Sequence, residues 1–277
     1  MDLEERIGLH YSPDRLRENI EIAFVQAGVY QRALTALDVR PIDHLHVGGH
    51  GATDALLKKL APPTGSHWLD IGSGIGGPAR QAYVDHGCRI AMLDLSKAFC
   101  DVAQWLNQEL GMAEGISVHC ASALDLPFDG ATFDGAFSIH ASMNISDKMA
   151  LYREAARVLR PDAQFGIYDV MRGDGEGPDF PVPWAETQQT SFLTTPDTVA
   201  EMLSAAGFEI IATHDMTKNG ITFFKQRLEA ISNGEKPIMS PALVMGDNAR
   251  EKVANITTAL ETGAVRAMQI ICRKISV

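Results

Sequence analysis

The stretch Leu69 to Arg80, LDIGSGIGGPAR, sets glycines at 72, 74, 76 and 77 between an apolar run and a helical run. Glycines at such a junction leave a strand-to-helix turn whose backbone a ligand can approach closely. The same alternation continues downstream. Short apolar runs at 67–72, 89–95, 116–122, 133–139 and 165–171 read as strands buried on both faces, with helical stretches at 77–86, 97–109 and 146–158 between them. Strands that alternate with helices build a parallel sheet covered on both sides. The expected fold class is therefore α/β: a doubly wound, seven-stranded, mostly parallel sheet.

Other segments frame that sheet. Apolar residues at helical spacing (Leu16, Ile20, Ala23, Phe24, Ala27) predict a helix over 14–37, stopped by Pro41. A second helix is expected from about Ala52 to Leu60, closed by Pro62 and Pro63. The Gly/Pro-rich run RGDGEGPDFPVPWAE (172–186) reads as a loop. Thr195-Pro196-Asp197 opens a helix to Ala206, Gly207 ends it, and strands follow at 209–216 and 264–274. The organisation predicted is an N-terminal helical cap over 1–60 and a ligand-binding domain over 61–277. Residues 217–263 form a helical cap insertion within that domain.

Composition narrows the function classes. The 277 residues suffice for one large domain with a cap. The net charge is −11 and lysine and arginine do not cluster, which disfavours a nucleic-acid partner. No apolar run approaches the roughly 20 residues of a membrane span. The opening MDLEERIG lacks an apolar signal core, so the cytoplasm is the expected location and no membrane partner is expected. Cys88, Cys100, Cys120 and Cys272 form no CxxC pair and read as buried free thiols.

The glycines at 72, 74 and 77 satisfy GxGxxG and on their own allow two cofactor classes. Asp70 separates them. A carboxylate at the mouth of the turn repels a dinucleotide pyrophosphate, whereas the amino and sulfonium groups of S-adenosylmethionine are positive. The ligand's own carboxylate can use the exposed amides of Gly72, Ser73 and Gly74 and the helix start. Asp94, ending the second strand, can accept hydrogen bonds from ribose hydroxyls. Either acid could instead cap its turn.

The runs LDIGSGIGGPAR, MLDLS, ASALDLPF, FDGAFSIHASMNISDK and YREAARVLRPDAQFGIYDV, in that order, resemble the class I S-adenosylmethionine-dependent methyltransferases. The resemblance covers roughly 44–216. It is strongest to the small-molecule group of sarcosine/dimethylglycine N-methyltransferases and ubiquinone/menaquinone-type enzymes. It implies that Leu95 and Leu124 sandwich the adenine, with Ser122 and Ala123 beside it. Ser122 departs from the acid usual there. It also implies that Ile139 and His140 lie near the sulfonium, and that His46, Val47 and Gly48 fold over the methionine moiety. Tyr11 would close over the donor methyl. Asn144 stands where several members carry a histidine.

His44, His46 and His50 have a spacing that could hold a metal, but no acid or cysteine completes the set, so no metal is expected and a cofactor lid is preferred. His140 is the candidate general base or a hydrogen-bonding wall, with Tyr11 the other catalytic candidate. Asn144, Trp184 and Phe223 are the candidate acceptor contacts. The expected function is methyl transfer from S-adenosylmethionine to an amine or hydroxyl of a small metabolite or natural product, with a homodimer a compatible assembly. The alternatives are a nicotinamide-dependent oxidoreductase and a non-catalytic S-adenosylmethionine-binding protein.

Overall fold

A computed structural model describes residues 15–234 and 237–276. Seven strands form one sheet in the order β3-β2-β1-β4-β5-β7-β6. They are β1 (His67–Ile71), β2 (Arg89–Asp94), β3 (Ile116–Cys120), β4 (Phe133–Ile139), β5 (Leu159–Arg172), β6 (Phe208–Asp215) and β7 (Val265–Lys274). β1 pairs in parallel with β2 on one side and β4 on the other, and β7 alone runs against its neighbours β5 and β6. Chain order reverses between β1 and β4, so a crevice opens at their carboxyl ends, where open α/β sheets bind ligands.

The helices are α1 (Leu16–Gln26), α2 (Ala36–Asp43), α3 (Gly49–Leu60), α4 (Gly77–His86), α5 (Lys97–Glu109), α6 (Lys148–Val158), α7 (Pro196–Ala205), α8 (Thr217–Ser232), α9 (Ala242–Met245) and α10 (Ala249–Glu261). Their starts are encoded locally. Ser96, Asp147 and Thr195 each accept a backbone N–H three residues on, the bond that an N-cap supplies to an orphan donor. Successive side chains of β1 serve opposite faces, as the strand period of two requires. Trp68 packs with Ile90, Met92 and Phe137 on one face, and Leu69 and Ile71 with Ala91, Leu93 and Ala136 on the other.

Four local expectations are corrected. The helix expected over 14–37 ends at Gln26, and left-handed Gly28 turns the chain into a short 3-10 segment. Pro41 lies inside α2 and does not stop it. The carbonyl that its missing N–H would have bonded belongs to Leu37, which is exposed to water. Cys120 is exposed although the other three thiols are buried, because it closes β3 at the edge of the sheet. β5 also starts earlier than its apolar run suggests, directly after α6, and a register shift opposite Phe133 and Gly135 absorbs the extra residues.

Candidate active site

The glycine turn opens the crevice. Gly72 has φ +77°, and a Cβ there would meet the Ala141 Cβ at 2.3 Å, so only glycine lets the turn after β4 come this close. Gly77 plays the same part toward α2, since its Cβ would meet the Asp43 carbonyl oxygen at 2.3 Å. The cavity between these walls is lined at one end by Asp70, Gly72, Ser73, Gly74, Asp94, Leu95, Ser122, Ala123 and Leu124. His46, Ile139, His140, Asn144 and Trp184 line it further on. Fourteen candidates distant in sequence thus share one cavity.

The others fall elsewhere. Gly48 and Phe223 line a second cavity between α3 and α8, with Tyr168 in its wall. The Phe223 ring is held there by Phe224 at 5.3 Å and by the Arg227 guanidinium at 4.9 Å. Tyr11 lies outside the described residues.

Asp70 is 1% exposed, and its Oδ2 has no hydrogen-bond partner among the described residues. Burial, reinforced by the nearby Asp94 carboxylate, pushes its pKa well above the usual carboxylate range. A cationic ligand group would supply what this carboxylate lacks. Asp94 is partly engaged: its Oδ2 accepts the Gly74 N–H at 2.8 Å and its Oδ1 the Ser96 N–H at 2.9 Å. It therefore shapes the turn while still lining the cavity. Burial raises its pKa as well, against those backbone bonds.

His140 has φ +53°, and its buried Nε2 has no partner among the described residues. Burial pushes its pKa down to about 3, so the ring is neutral at pH 7. It meets Tyr168 edge-on at 4.9 Å, and the Tyr168 hydroxyl donates to the Val47 carbonyl at 3.0 Å. His46 Nε2 lies 3.0 Å from the Gly49 carbonyl and 2.9 Å from the Thr53 hydroxyl, two polar groups that fix the ring in the wall. Burial, with the His44 and His140 rings beside it, holds His46 well below its ordinary pKa. Asn144 donates from Nδ2 to the carbonyls of Trp184 at 2.7 Å and Thr190 at 3.1 Å, fixing the 172–186 loop over the cavity.

Arg80, Asp169 and Lys252 escaped the sequence reading. Arg80 is 1% exposed and donates to Asp43 at 3.0 Å, Asn107 at 2.9 Å and the Ile75 carbonyl of the glycine turn at 2.6 Å. His44 bonds the other Asp43 oxygen at 2.6 Å and Gln81 at 3.1 Å, so this histidine braces the wall. Asp169 in β5 accepts the Ser142 hydroxyl and, at 3.3 Å, its N–H, anchoring the turn that carries His140 and Asn144. Lys252 of α10 lines the cavity from the cap. An arginine in the first turn of the helix that follows the glycine turn was the one visible signal. No cluster of three metal-binding side chains occurs among the described residues.

Comparison with known proteins agrees with this geometry. A methyltransferase-domain family profile matches residues 69–167. The chain is similar to an O-methyltransferase of Pyrenophora dematioidea, 28% identical over 74% of this chain and 75% of that one. It is similar also to a sarcosine/dimethylglycine N-methyltransferase of Halorhodospira halochloris, 32% identical over 59% of this chain and 58% of the other. Among solved structures, a Haemonchus contortus phosphoethanolamine N-methyltransferase holding S-adenosylhomocysteine shares the fold. It superposes with a TM-score of 0.73 at 23% identity over 84% of this chain and 55% of that one. Glycine turn, sheet order, matched domain and relatives converge: the chain has the fold of the class I S-adenosylmethionine-dependent methyltransferases and carries a methyltransferase domain over residues 69–167.

Proposed function

We propose that the chain transfers a methyl group from S-adenosylmethionine to a hydroxyl or amine of a small-molecule acceptor, with the donor at the Asp70 end of the cavity and the acceptor beneath Trp184. One observation carries this division. A buried carboxylate oxygen on Asp70 and a buried imidazole nitrogen on His140, both without partners among the described residues, line the same cavity.

The residues present fit the donor. Asp70 would pair with its ammonium group, and the amides of Gly72 to Gly74 would face its carboxylate. Asp94 would take the ribose hydroxyls. Leu95 and Leu124 would hold the adenine, with Ser122 and Ala123 at its edge. Ile139 and His46 would close around the sulfonium. Bound there, S-adenosylmethionine supplies an electrophilic methyl on a good leaving group. The chain's task is then to orient the nucleophile and exclude water, which can supply up to about 11 kcal/mol in model reactions. An imidazole held near pKa 3 is a weak base. His140 therefore acts by hydrogen-bonding the acceptor in line with the methyl, and Asn144 keeps the overlying loop in place.

The experiment is calorimetric titration with S-adenosylmethionine, followed by detection of S-adenosylhomocysteine with a panel of phenols, alcohols and amines. Binding plus acceptor-dependent product is expected. An intact fold that fails to bind the donor sinks the reading, and donor binding without product from any acceptor removes the catalytic half of it. His140→Ala is expected to lower kcat at least tenfold with little change in donor affinity.

A further inference from the structure

Charged groups of both signs line the cavity. Asp43, Asp70 and Asp94 all stand at the glycine-turn end. The single lysine or arginine among the described lining residues is Lys252, which enters from α10 on the cap side, beside Val244 and Met245. Lys252 is only 3% exposed, and lysines are rarely buried unless their charge is met. It also sits in the first turns of α10, where the helix end is itself partly positive and a cation is unfavourable. Among the described residues its Nζ has two partners, Glu186 at 2.7 Å and the Met245 carbonyl at 3.1 Å. An ammonium has three donors, so one is left over. The Glu186 side chain is 48% exposed and also accepts from Asn248 at 2.9 Å. A half-exposed counter-ion can turn to water at little cost, whereas the buried ammonium cannot.

We infer that Lys252 is a specificity-determining residue that binds an anionic group, a carboxylate or a phosphate, on the acceptor, with Glu186 as the stand-in that this group displaces. The inference rests on the methyltransferase reading of the cavity. It adds an electrostatic selection rule: the donor's cation meets the acids of the glycine turn, and the acceptor's anion meets Lys252. Asn255, which donates to the Pro181 carbonyl at 2.9 Å, keeps the loop joined to α10 when Glu186 swings away.

The test separates this inference from the reading beneath it. Titration of wild type, Lys252→Met and Lys252→Arg with S-adenosylhomocysteine comes first. Equal affinities in all three show an intact donor site, and failure in wild type counts against the methyltransferase reading itself. The loaded proteins are then titrated with benzoate, phenyl phosphate and their neutral counterpart benzamide. The expected result is at least tenfold tighter binding of benzoate or phenyl phosphate than of benzamide by wild type. That preference should fall below threefold in Lys252→Met, be largely kept in Lys252→Arg, and grow in Glu186→Gln as the competing carboxylate is removed. Tighter benzoate than phenyl phosphate assigns the site to carboxylates, and the reverse assigns it to phosphates. Equal affinities for charged and neutral probes, no binding of any probe, or an anion preference that survives Lys252→Met overturns the inference.

Discussion

At the scale of single residues, burial decides which acids and bases are held charged. Asp70 was chosen from sequence because a carboxylate beside a glycine turn discriminates between cofactor cations and phosphates. What the sequence lacked was its depth: a 1% exposed acid whose Oδ2 has no hydrogen-bond partner among the described residues favours the protonated form until a cation arrives. A ligand ammonium favours the ionised form. Donor affinity is therefore expected to rise with pH toward the raised pKa of the free acid, with a proton released on binding below it. Calorimetry in two buffers of different ionisation enthalpy measures that proton. Asp70→Asn should abolish most of the release and weaken the donor about 10- to 100-fold, the value of one charge-assisted hydrogen bond. His140 was legible as a candidate from its place after an apolar strand. Its depressed basicity was not, because desolvation belongs to the packed neighbours, Tyr168 and His46 among them.

At the scale of elements, most of the sheet was readable because each strand and cap is written locally. The bounds expected for β4, α4 and α5 coincide with those observed. The N-terminal helix was overextended because helical spacing persists past Gly28, and spacing alone does not say where a left-handed residue turns the chain. Ties between elements are a different matter. Asp169 links β5 to the turn after β4 through Ser142, across a gap in sequence that no periodicity reports. Burial, partly offset by the Ser142 bonds, pushes its pKa up to about 7. The sign follows from proton counting. Between the unfolded carboxyl pKa of roughly 4 and about 7, the folded state keeps a proton that the unfolded state has lost, so stability falls as pH rises through that window and levels off above it. Asp169→Asn, which cannot titrate, should thus gain on wild type between pH 4 and 7, by up to about 4 kcal/mol at roughly 1.4 kcal/mol per unit. Urea denaturation across that range checks it. A stability difference that does not vary with pH counts against a raised Asp169.

At the scale of the whole molecule, Arg80 joins the N-terminal helices to the glycine turn. It pairs with Asp43 at the end of α2 and bonds the Ile75 carbonyl, with both charges buried. Arg80→Met leaves the Asp43 carboxylate with only His44 as a partner in the interior, which costs about 3–5 kcal/mol for a buried pair broken on one side. Pairing it with Asp43→Asn should recover part of the loss, because the two changes are coupled. Thermal unfolding with and without S-adenosylhomocysteine measures both the stability and whether the turn still binds. LDIGSGIGGPAR and the strand-helix alternation determined the sheet, the turn and the class of cofactor, since each depends on residues near one another in the chain. Tertiary structure alone decided that Phe223 faces a second cavity, that Lys252 lines the first, and that Asp70 Oδ2 and His140 Nε2 are left without hydrogen-bond partners among the described residues. Those outcomes depend on which distant side chains exclude water from one another, and desolvation is a property of the packed chain that no local pattern carries.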